Sequence, residues 1–154
     1  MPIRNSVKAI IIQNNHLLVI KKEDNEGIYY ILPGGGQEHT ETFHQTLKRE
    51  CIEEIGREVK IGDVILIREY IGKNHEHAQF DYNTHQIEYM FLCALRGENT
   101  EIQNGINPDD GQIGAEWLPI SKLLTYRLYP LQMRRYLVDY NDGKSIPIYL
   151  GDVN

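Results

Sequence analysis

Apolar and polar positions change their spacing along the chain, and this change predicts strands followed by a helix. Apolar runs over 7–13 and 16–22 predict two strands. The two-residue link Asn14-Asn15 between them suits a hairpin turn, because asparagine tolerates positive φ. A third strand is predicted over 28–33, immediately before three consecutive glycines. The pattern therefore predicts a hairpin, a further strand and a tight glycine turn.

A helix is predicted after the glycines, where the apolar residues recur at helical spacing. Thr40 or Thr42 can cap its first turn, and Gly56 suits the left-handed position that commonly ends a helix. The helix would thus extend to about Ile55. Its apolar stripe would consist of Phe43, Leu47, Cys51 and Ile55.

The second half of the chain predicts further strands and two short helices. The segment 72–85 is polar and rich in histidine, and 96–114 resembles a long loop over a site. Ser121 can cap a short helix over 121–124, and a helix over 130–140 would begin on proline. Strands are predicted over 59–61, 64–70, 86–95 and 116–119, and a tail over 141–154.

Size and charge limit the possible partners. The 154 residues, 41% hydrophobic and 25% charged, suit one globular domain over 1–154. A net charge of −6 would repel nucleic acid and anionic membranes, so neither is an expected partner. No signal peptide is expected from the N-terminal residues, and no apolar run is long enough to span a bilayer. Cys51 and Cys93 lie among apolar neighbours, which predicts buried free thiols and a cytoplasmic protein.

Three glutamates near the end of the predicted helix indicate the chemistry. Glu50, Glu53 and Glu54 are spaced i, i+3 and i+4, so they lie on one face within one turn. Like charges at this spacing cost about 0.2–0.5 kcal/mol per pair, and Arg49 can offset part of that cost by pairing with Glu53. The remaining repulsion favours a bound cation. Carboxylate oxygens suit Mg²⁺ or Mn²⁺.

A solvated acidic face would explain the glutamates alone, but the glycines before the helix favour a site. The segment 33–36, Pro-Gly-Gly-Gly, lets the backbone approach a ligand or a metal closely, because no Cβ covers its amides and carbonyls. A strand, a glycine turn and an acidic helix in this order can hold cations against a phosphate-rich ligand.

The spacing resembles the box of the Nudix hydrolase family, the MutT-like proteins. The family pattern is G-x5-E-x7-R-E-U-x-E-E-x-G-U, where U is a bulky aliphatic residue. Cys51 and Arg57 stand in aliphatic places, and Thr40 stands where many relatives have glycine. None of these departures removes an acidic residue. The matching residues are Gly35, Glu41, Arg49, Glu50, Glu53, Glu54 and Gly56.

The resemblance also includes the N-terminal strands, the Leu-Pro-Gly-Gly entry and the Glu-Trp-Leu-Pro strand, so it covers most of the chain. It implies an α/β (α+β) fold of the Nudix type, an α/β/α sandwich with a mixed central β-sheet and a loop–helix–loop box. It also implies a nucleotide-type small-molecule substrate. A homodimer is possible, since dimers are common among relatives.

The resemblance further implies a pyrophosphohydrolase that cleaves a nucleoside diphosphate linked to another moiety. Water would attack phosphorus, and bound Mg²⁺ or Mn²⁺ would neutralise charge on the pyrophosphate. The metal ligands would be the carbonyl of Gly34 and the carboxylates of Glu50, Glu53 and Glu54.

The remaining roles are less sharply defined by the resemblance. Arg49 would orient the acids, and Glu41 would be structural or an outer-shell partner. The general base is open between Glu53, which is the first choice, and two acids outside the box. These two are Asp110 and Glu116, in or beside the long loop.

The substrate itself stays open. A nucleoside triphosphate, a nucleotide sugar and ADP-ribose are all possible, because the marks of known subfamilies are mostly missing. His75 and His77 could bind a transition metal, although a solvated loop explains them more simply. Candidate residues for base stacking and phosphate binding are Arg68, Tyr89, Tyr126 and Arg127.

Two other functions compete with the enzyme. One is a catalytically silent nucleotide-binding or sensor domain, and the other is an acidic interaction module without a site. Silent domains usually lose acids of the box, whereas this chain keeps them all. The glycine spacing argues against the interaction module.

Overall fold

The computed structural model describes residues 2–97, 102 and 111–154. It begins with the predicted hairpin, β1 (Arg4–Gln13) and β2 (His16–Asp24). Asn14 and Asn15 have φ of 50° and 59°, which is the left-handed turn that matches the twist of a hairpin. The hairpin prediction is therefore confirmed.

The strands that follow the hairpin are β3 (Gly27–Ile31), β4 (Gly34–Gly36), β5 (Val59–Ile71), β6 (His85–Leu95), β7 (Gln112–Pro119) and β8 (Tyr149–Asp152). In the described part of the chain, these eight strands form one mixed sheet in the order β3-β2-β1-β6-β5-β8, with β4 paired to β1 and β7 paired to β2. The pairs β1–β6 and β5–β8 are parallel, and the others are antiparallel.

Helices cover both faces of the sheet. The helix α1 (Phe43–Ile55) packs on one face, and α3 (Met133–Asn141) packs on the other with a 3₁₀ turn, Ile120–Thr125. A second 3₁₀ turn, Gly72–Asn74, precedes the short helix α2 (Ala78–Asp81). The predicted sandwich with a mixed central sheet is therefore confirmed. Among the described residues, no helix is long and apolar enough to span a membrane.

The apolar stripe of α1 seals the core beneath the predicted box. Leu47, Cys51 and Ile55 are fully buried, and Phe43 packs against the same cluster from the first turn. Burying an aliphatic side chain of this size contributes about 1.5–3 kcal/mol, so this stripe holds the helix on the sheet. Cys51 and Cys93 are both free and buried, and burial raises the pKa of Cys93 to about 12.

Several predicted elements differ from the structure because of contacts that are distant in sequence. The three glycines form strand β4 rather than a turn, since residues 6–8 of β1 provide a pairing edge. The two strands predicted over 59–61 and 64–70 are one strand, because β6 pairs along its whole length across register shifts. The predicted tail contributes β8, which pairs in parallel with β5.

The short helices also differ at their starts. Ser121 lies inside a 3₁₀ turn that begins at Ile120, and no side-chain cap is present there. The helix predicted over 130–140 begins at Met133, three residues after a cis Tyr129–Pro130 bond. Most of the loop predicted over 96–114 lies outside the described residues, and β7 already begins at Gln112.

Candidate active site

Local signals at both ends fix where α1 begins and ends. Thr42 caps the first turn, because its hydroxyl accepts from the Gln45 amide at 3.1 Å while the Gln45 side chain accepts from the Thr42 amide at 2.8 Å. Gly56 ends the helix in a left-handed conformation with φ of 66°. Both caps agree with the sequence, so the glutamates lie at the predicted helical positions.

Arg49 is the centre of the acidic cluster. Its Nε and Nη2 donate to the two carboxylate oxygens of Glu41 at 2.8 and 2.9 Å. Its Nη1 lies 3.0 Å from Glu50 Oε1 and 3.5 Å from Glu53 Oε2. Its Nη2 also donates to the carbonyl of Gly36 at 3.2 Å, which ties the helix to β4.

The Glu41 carboxylate is held in its charged form. Hydrogen bonds from Arg49, then from the Glu38 amide, and a further bond from Thr46, lower the pKa of Glu41 to about 2. The carboxylates of Glu41 and Glu50 in turn raise the pKa of the Arg49 guanidinium, and Glu41 has the larger effect. Glu41 is thus an anion at neutral pH and fixes the Arg49 side chain.

The two glutamates nearest the glycines approach the backbone closely. Glu54 is 1% exposed, and its Oε1 accepts from the Gly34 amide at 2.7 Å. A Cβ on Gly35 would lie 2.5 Å from the carboxyl carbon of Glu50, and a Cβ on Gly34 would lie 2.0 Å from the Val7 carbonyl oxygen. The Gly34 position therefore requires glycine, because a side chain would collide with the backbone of β1, whereas a side chain at Gly35 would displace the Glu50 carboxylate.

An open cavity of about 250 Å³ lies beside this cluster. The glycine strand and Glu50 form one part of its wall, and basic side chains form another. Cations that face acids across a cavity suit a ligand with several negative charges that binds together with metal ions. The cavity is lined by Arg4, Ser6, Lys8, Lys22, Gly34, Gly35, Gly36, Glu50 and Gln86.

The carboxylates do not point at a single position. Among the residues that the structure describes, no group of three or more His, Cys, Asp or Glu side chains could hold one metal ion. Glu50 and Glu53 turn towards Arg49, whereas Glu54 turns towards the Gly34 amide. A shared cation would require rotation of the side chains of Glu50 and Glu53 away from Arg49.

The donor set nevertheless fits a divalent cation. Glu41, Glu50 and Glu53 share the single positive charge of Arg49, so the cluster keeps an excess of negative charge. Carboxylate and carbonyl oxygens are the ligands that Mg²⁺ and Mn²⁺ prefer. The missing Cβ of Gly35 leaves the space in which the Glu50 carboxylate lies.

Glu116, one of the two proposed bases outside the box, lies away from this cluster. Its neighbours on β7, Ala115 and Trp117, pack on the core beneath α1, so the Glu116 side chain points to the opposite face of the strand. There it pairs with Lys21 at 2.9 Å. Asp110, the other candidate, lies outside the described residues.

The predicted substrate-binding residues do not come together. Arg68 is 7% exposed and pairs with buried Glu88 at 2.7 Å. Tyr89 contacts Phe43 in the core beneath α1, with ring centroids 4.5 Å apart. Both side chains therefore contact partners within the protein rather than facing the cavity.

The other two candidates lie elsewhere on the surface. Tyr126 packs edge-on against Tyr30, with ring centroids 5.8 Å apart. Arg127 forms a bidentate pair with Asp24 at 2.8 and 2.9 Å, and this pairing lowers the pKa of Asp24 to about 2. The guanidinium also lies over the rings of Tyr29 and Tyr129.

The histidines of the polar segment have separate partners. His75 Nε2 lies 2.5 Å from Asp152, His85 Nε2 lies 3.5 Å from Glu69, and His77 lies 3.9 Å from Glu76. His75 thereby attaches the segment to β8 rather than to a metal ligand set.

Sequence reasoning missed the basic residues of the cavity. Arg4, Lys8 and Lys22 come from the first two strands, far along the chain from the box. One signal was available for Lys8, which interrupts an otherwise apolar run between Val7 and Ala9. A charged residue in a buried strand needs a reason, and here the reason is the cavity.

Comparisons with known proteins agree with this fold. A family model described as the NUDIX domain matches residues 2–139. The chain is similar to a solved NUDIX hydrolase from Nitrosomonas europaea, with a TM-score of 0.70, 20% identity and coverage of 95% of this chain and 93% of that one.

Two further solved structures share the fold. An ADP-ribose pyrophosphatase from Streptococcus suis has a TM-score of 0.65 and 18% identity, covering 98% of this chain and 100% of that chain. A MutT NUDIX hydrolase from Burkholderia pseudomallei has a TM-score of 0.68 and 19% identity, covering 90% and 99%. No curated protein sequence matches the chain significantly.

The family model spans most of the chain, so the protein belongs to the NUDIX family. Its class is that of the NUDIX hydrolases, which the resemblance of the box had predicted.

Proposed function

We propose that the protein is a Mg²⁺- or Mn²⁺-dependent pyrophosphohydrolase that cleaves a nucleoside diphosphate linked to another moiety. The observation that carries the proposal is the Arg49 cluster. One guanidinium binds Glu41, Glu50, Glu53 and the Gly36 carbonyl, and thereby holds an acidic helix against a glycine strand at the edge of a basic cavity.

The metal ligands in this proposal are four oxygen donors: the Gly34 carbonyl and the carboxylates of Glu50, Glu53 and Glu54. When bound, the metal would neutralise the pyrophosphate and make water more acidic. Glu54 provides a fixed donor, since its other oxygen accepts from the Gly34 amide. Glu50 and Glu53 provide adjustable donors, since Arg49 contacts only one oxygen of each.

We further propose that Glu53 takes the proton of the attacking water. It lies on the same helical face as Glu50 and Glu54, and its side chain is 26% exposed, so water can reach it. Its 3.5 Å contact with Arg49 is the longest in the cluster, which leaves Glu53 the least restrained of the Arg49 partners. Glu116 points to the opposite face of β7 and is the weaker candidate.

The cavity supports a substrate with a pyrophosphate group. Arg4, Lys8 and Lys22 would bind phosphate oxygens that the metals do not bind. Nucleoside triphosphates, nucleotide sugars and ADP-ribose share that group, so the class of substrate follows from the cavity and the particular substrate needs an assay. The protein would act as a cytoplasmic enzyme, alone or as a homodimer.

One assay tests the proposal against a silent nucleotide-binding domain. The protein is incubated with Mg²⁺ and a panel of nucleoside triphosphates, nucleotide sugars and ADP-ribose, and release of nucleoside monophosphate is measured. We expect release that EDTA abolishes and added Mg²⁺ restores. Binding of panel members without any release would contradict the enzyme and support the silent domain.

A further inference from the structure

Lys8 places a positive charge directly against the proposed metal ligands. It lies on β1 between the fully buried residues Val7 and Ala9, and its half-buried side chain lines the cavity. The Lys8 Nζ donates to the Gly34 carbonyl at 3.4 Å and to the Leu32 carbonyl at 3.5 Å. The Lys8 ammonium thus contacts the backbone oxygen that the proposed function assigns to a divalent cation.

The contacts of Lys8 are loose ones. Hydrogen bonds from nitrogen to oxygen are usually about 2.7–3.2 Å long, so both carbonyl contacts are weak. The nearby Glu88 carboxylate accepts hydrogen bonds from Arg68 at 2.7 Å and from the side-chain amide of Gln86 at 2.9 Å. Burial favours the neutral form of Glu88, yet the charges of Arg68 and Lys8 hold its pKa below the ordinary value. Lys8 is therefore attracted to this part of the site, and its bonds to the described residues are too long to fix it there.

Gly34 cannot move aside for Lys8. Its amide donates to buried Glu54 at 2.7 Å, and a Cβ at this position would collide with the Val7 carbonyl, so Gly34 lies tightly against β1. A divalent cation on the Gly34 carbonyl would repel an ammonium group that contacts the same oxygen. Because the Lys8 contact is only a weak one at 3.4 Å, the repulsion favours movement of the Lys8 ammonium away from the carbonyl.

We propose that Lys8 is a pyrophosphate-binding residue that exchanges the Gly34 carbonyl for a phosphate oxygen of the substrate when the divalent cation binds. This proposal rests on the hydrolase function proposed above. The cavity gives the ammonium group its second position, because Lys8 lines the same cavity as Glu50 and the glycine strand. The exchange couples metal binding to substrate binding, since the displaced charge becomes available to the phosphate.

The test is Lys8→Met, with two measurements that should change in opposite directions. In the absence of substrate, the Kd for Mn²⁺ should fall by roughly threefold to tenfold, because a repelling charge is gone. The KM for the panel member that the wild type hydrolyses fastest should rise by roughly tenfold or more, with a smaller change in kcat, because a charge-assisted hydrogen bond to phosphate is lost. Lys8→Arg should keep the KM within a few-fold of wild type.

Lys60→Met is the matched control. Lys60 is exposed and pairs with Ala94 at the other end of the sheet, so this variant loses the same charge away from the cavity. Neither the Kd nor the KM should change in it. If both are unchanged in Lys8→Met too, or if Mn²⁺ binding and substrate binding both weaken, the proposal is overturned.

A failure of the proposed hydrolase function can be distinguished from a failure of the Lys8 proposal. Wild-type protein that neither binds Mn²⁺ nor releases product would overturn both proposals, whereas an active wild type with an unaltered Lys8→Met overturns only the second. If Lys8→Met does not fold, the exchange is measured in wild-type protein by the NMR resonance of the Lys8 ε-methylene. That resonance should shift on addition of Mg²⁺, and a resonance that does not shift would overturn the proposal.

Discussion

Arg49 and Arg68 both hold glutamates, but they do so in opposite settings. The Arg49 side chain is 26% exposed and shares its charge among three carboxylates at the edge of an open cavity. The Arg68 side chain is 8% exposed, and it pairs with Glu88 and donates to the Val153 carbonyl at 2.6 Å. The first cluster has surplus negative charge near solvent, whereas the second pairs one cation with one anion inside the fold.

The difference shows that an arginine–glutamate pair can either stabilise the fold or leave charge available for a ligand, depending on its burial and on the balance of charges. A buried pair that is closed by hydrogen bonds has no remaining capacity for a ligand, and its main effect is on folding. A partly exposed cluster with unequal charges can exchange its internal contacts for a cation. In the proposed function, catalysis belongs to the Arg49 cluster, whereas Arg68 attaches the C-terminal segment through its bond to the Val153 carbonyl.

The largest expected effect is on stability, at Arg68. Arg68→Met should lower the free energy of unfolding by about 3–5 kcal/mol, because it leaves the buried Glu88 carboxylate without its counter-ion. Urea unfolding followed by fluorescence would measure the loss. The double variant Arg68→Met/Glu88→Gln should recover part of it, since no buried charge is left uncompensated. A loss below about 1 kcal/mol would place Arg68 outside the structural role assigned to it.

The next effect is on activity, at Glu54. Glu54→Gln keeps an oxygen that can accept from the Gly34 amide but removes the charge that a metal would need. Hydrolysis should fall by roughly two orders of magnitude or more, with little change in the free energy of unfolding. Glu58→Gln is the matched control, because Glu58 is exposed beyond the end of α1. Equal activity of the two variants would contradict the assignment of Glu54.

Arg49→Lys should produce a smaller loss of activity. A lysine keeps the charge but cannot bind Glu41 with two donors and contact the Gly36 carbonyl at the same time. We expect kcat to fall by roughly tenfold while the KM changes less, because the acids are misplaced rather than removed. Steady-state kinetics on the same substrate would measure both. Wild-type kcat in this variant would show that the cluster does not position the acids.

The smallest effect is a dependence of stability on pH. The pKa of Glu41 is lowered from 4.5 to about 2, so its contribution to stability is fully present above pH 4.5 and disappears as the pH falls through about 2. The difference in unfolding free energy between wild type and Glu41→Gln should therefore be constant from neutral pH to about 5 and shrink below it. Urea titrations at several pH values would measure this. A difference that stays constant down to pH 2.5 would contradict the pKa of Glu41.

The same comparison explains what the sequence could predict. The described partners of Arg49 lie between Gly36 and Glu53, within the end of β4, the loop after it and one helix, so their spacing along the chain brings them together. The hydrogen-bond partners of Arg68 that the structure describes lie 20, 85 and 86 residues away, and no local period connects them. Arg68 was predicted to contact substrate because an arginine in a strand can serve either role until its partner is known.

Long-range pairing also explains the errors in the predicted elements. The glycines of β4 were predicted as a turn, since local propensity cannot show that β1 provides a pairing edge. The segment of β8 was predicted as a tail, because its short run of residues carries no clear strand pattern of its own. Pairing with β5 and the His75–Asp152 contact, both distant in sequence, stabilise it as a strand. The cations of the cavity were missed for the same reason, because the pairing of β1 with β4 is what brings Arg4 and Lys8 close to the glycines.

The most direct test of the account is the position of a divalent cation. Crystals of the protein soaked in Mn²⁺ should show an anomalous difference peak in contact with the Gly34 carbonyl and with the carboxylates of Glu50 and Glu54. The Glu50 side chain should have rotated away from Arg49 in the same crystals. A crystal that binds Mn²⁺ elsewhere, or that keeps Glu50 on Arg49 with no peak at Gly34, would contradict the assignment of this cluster as the catalytic centre.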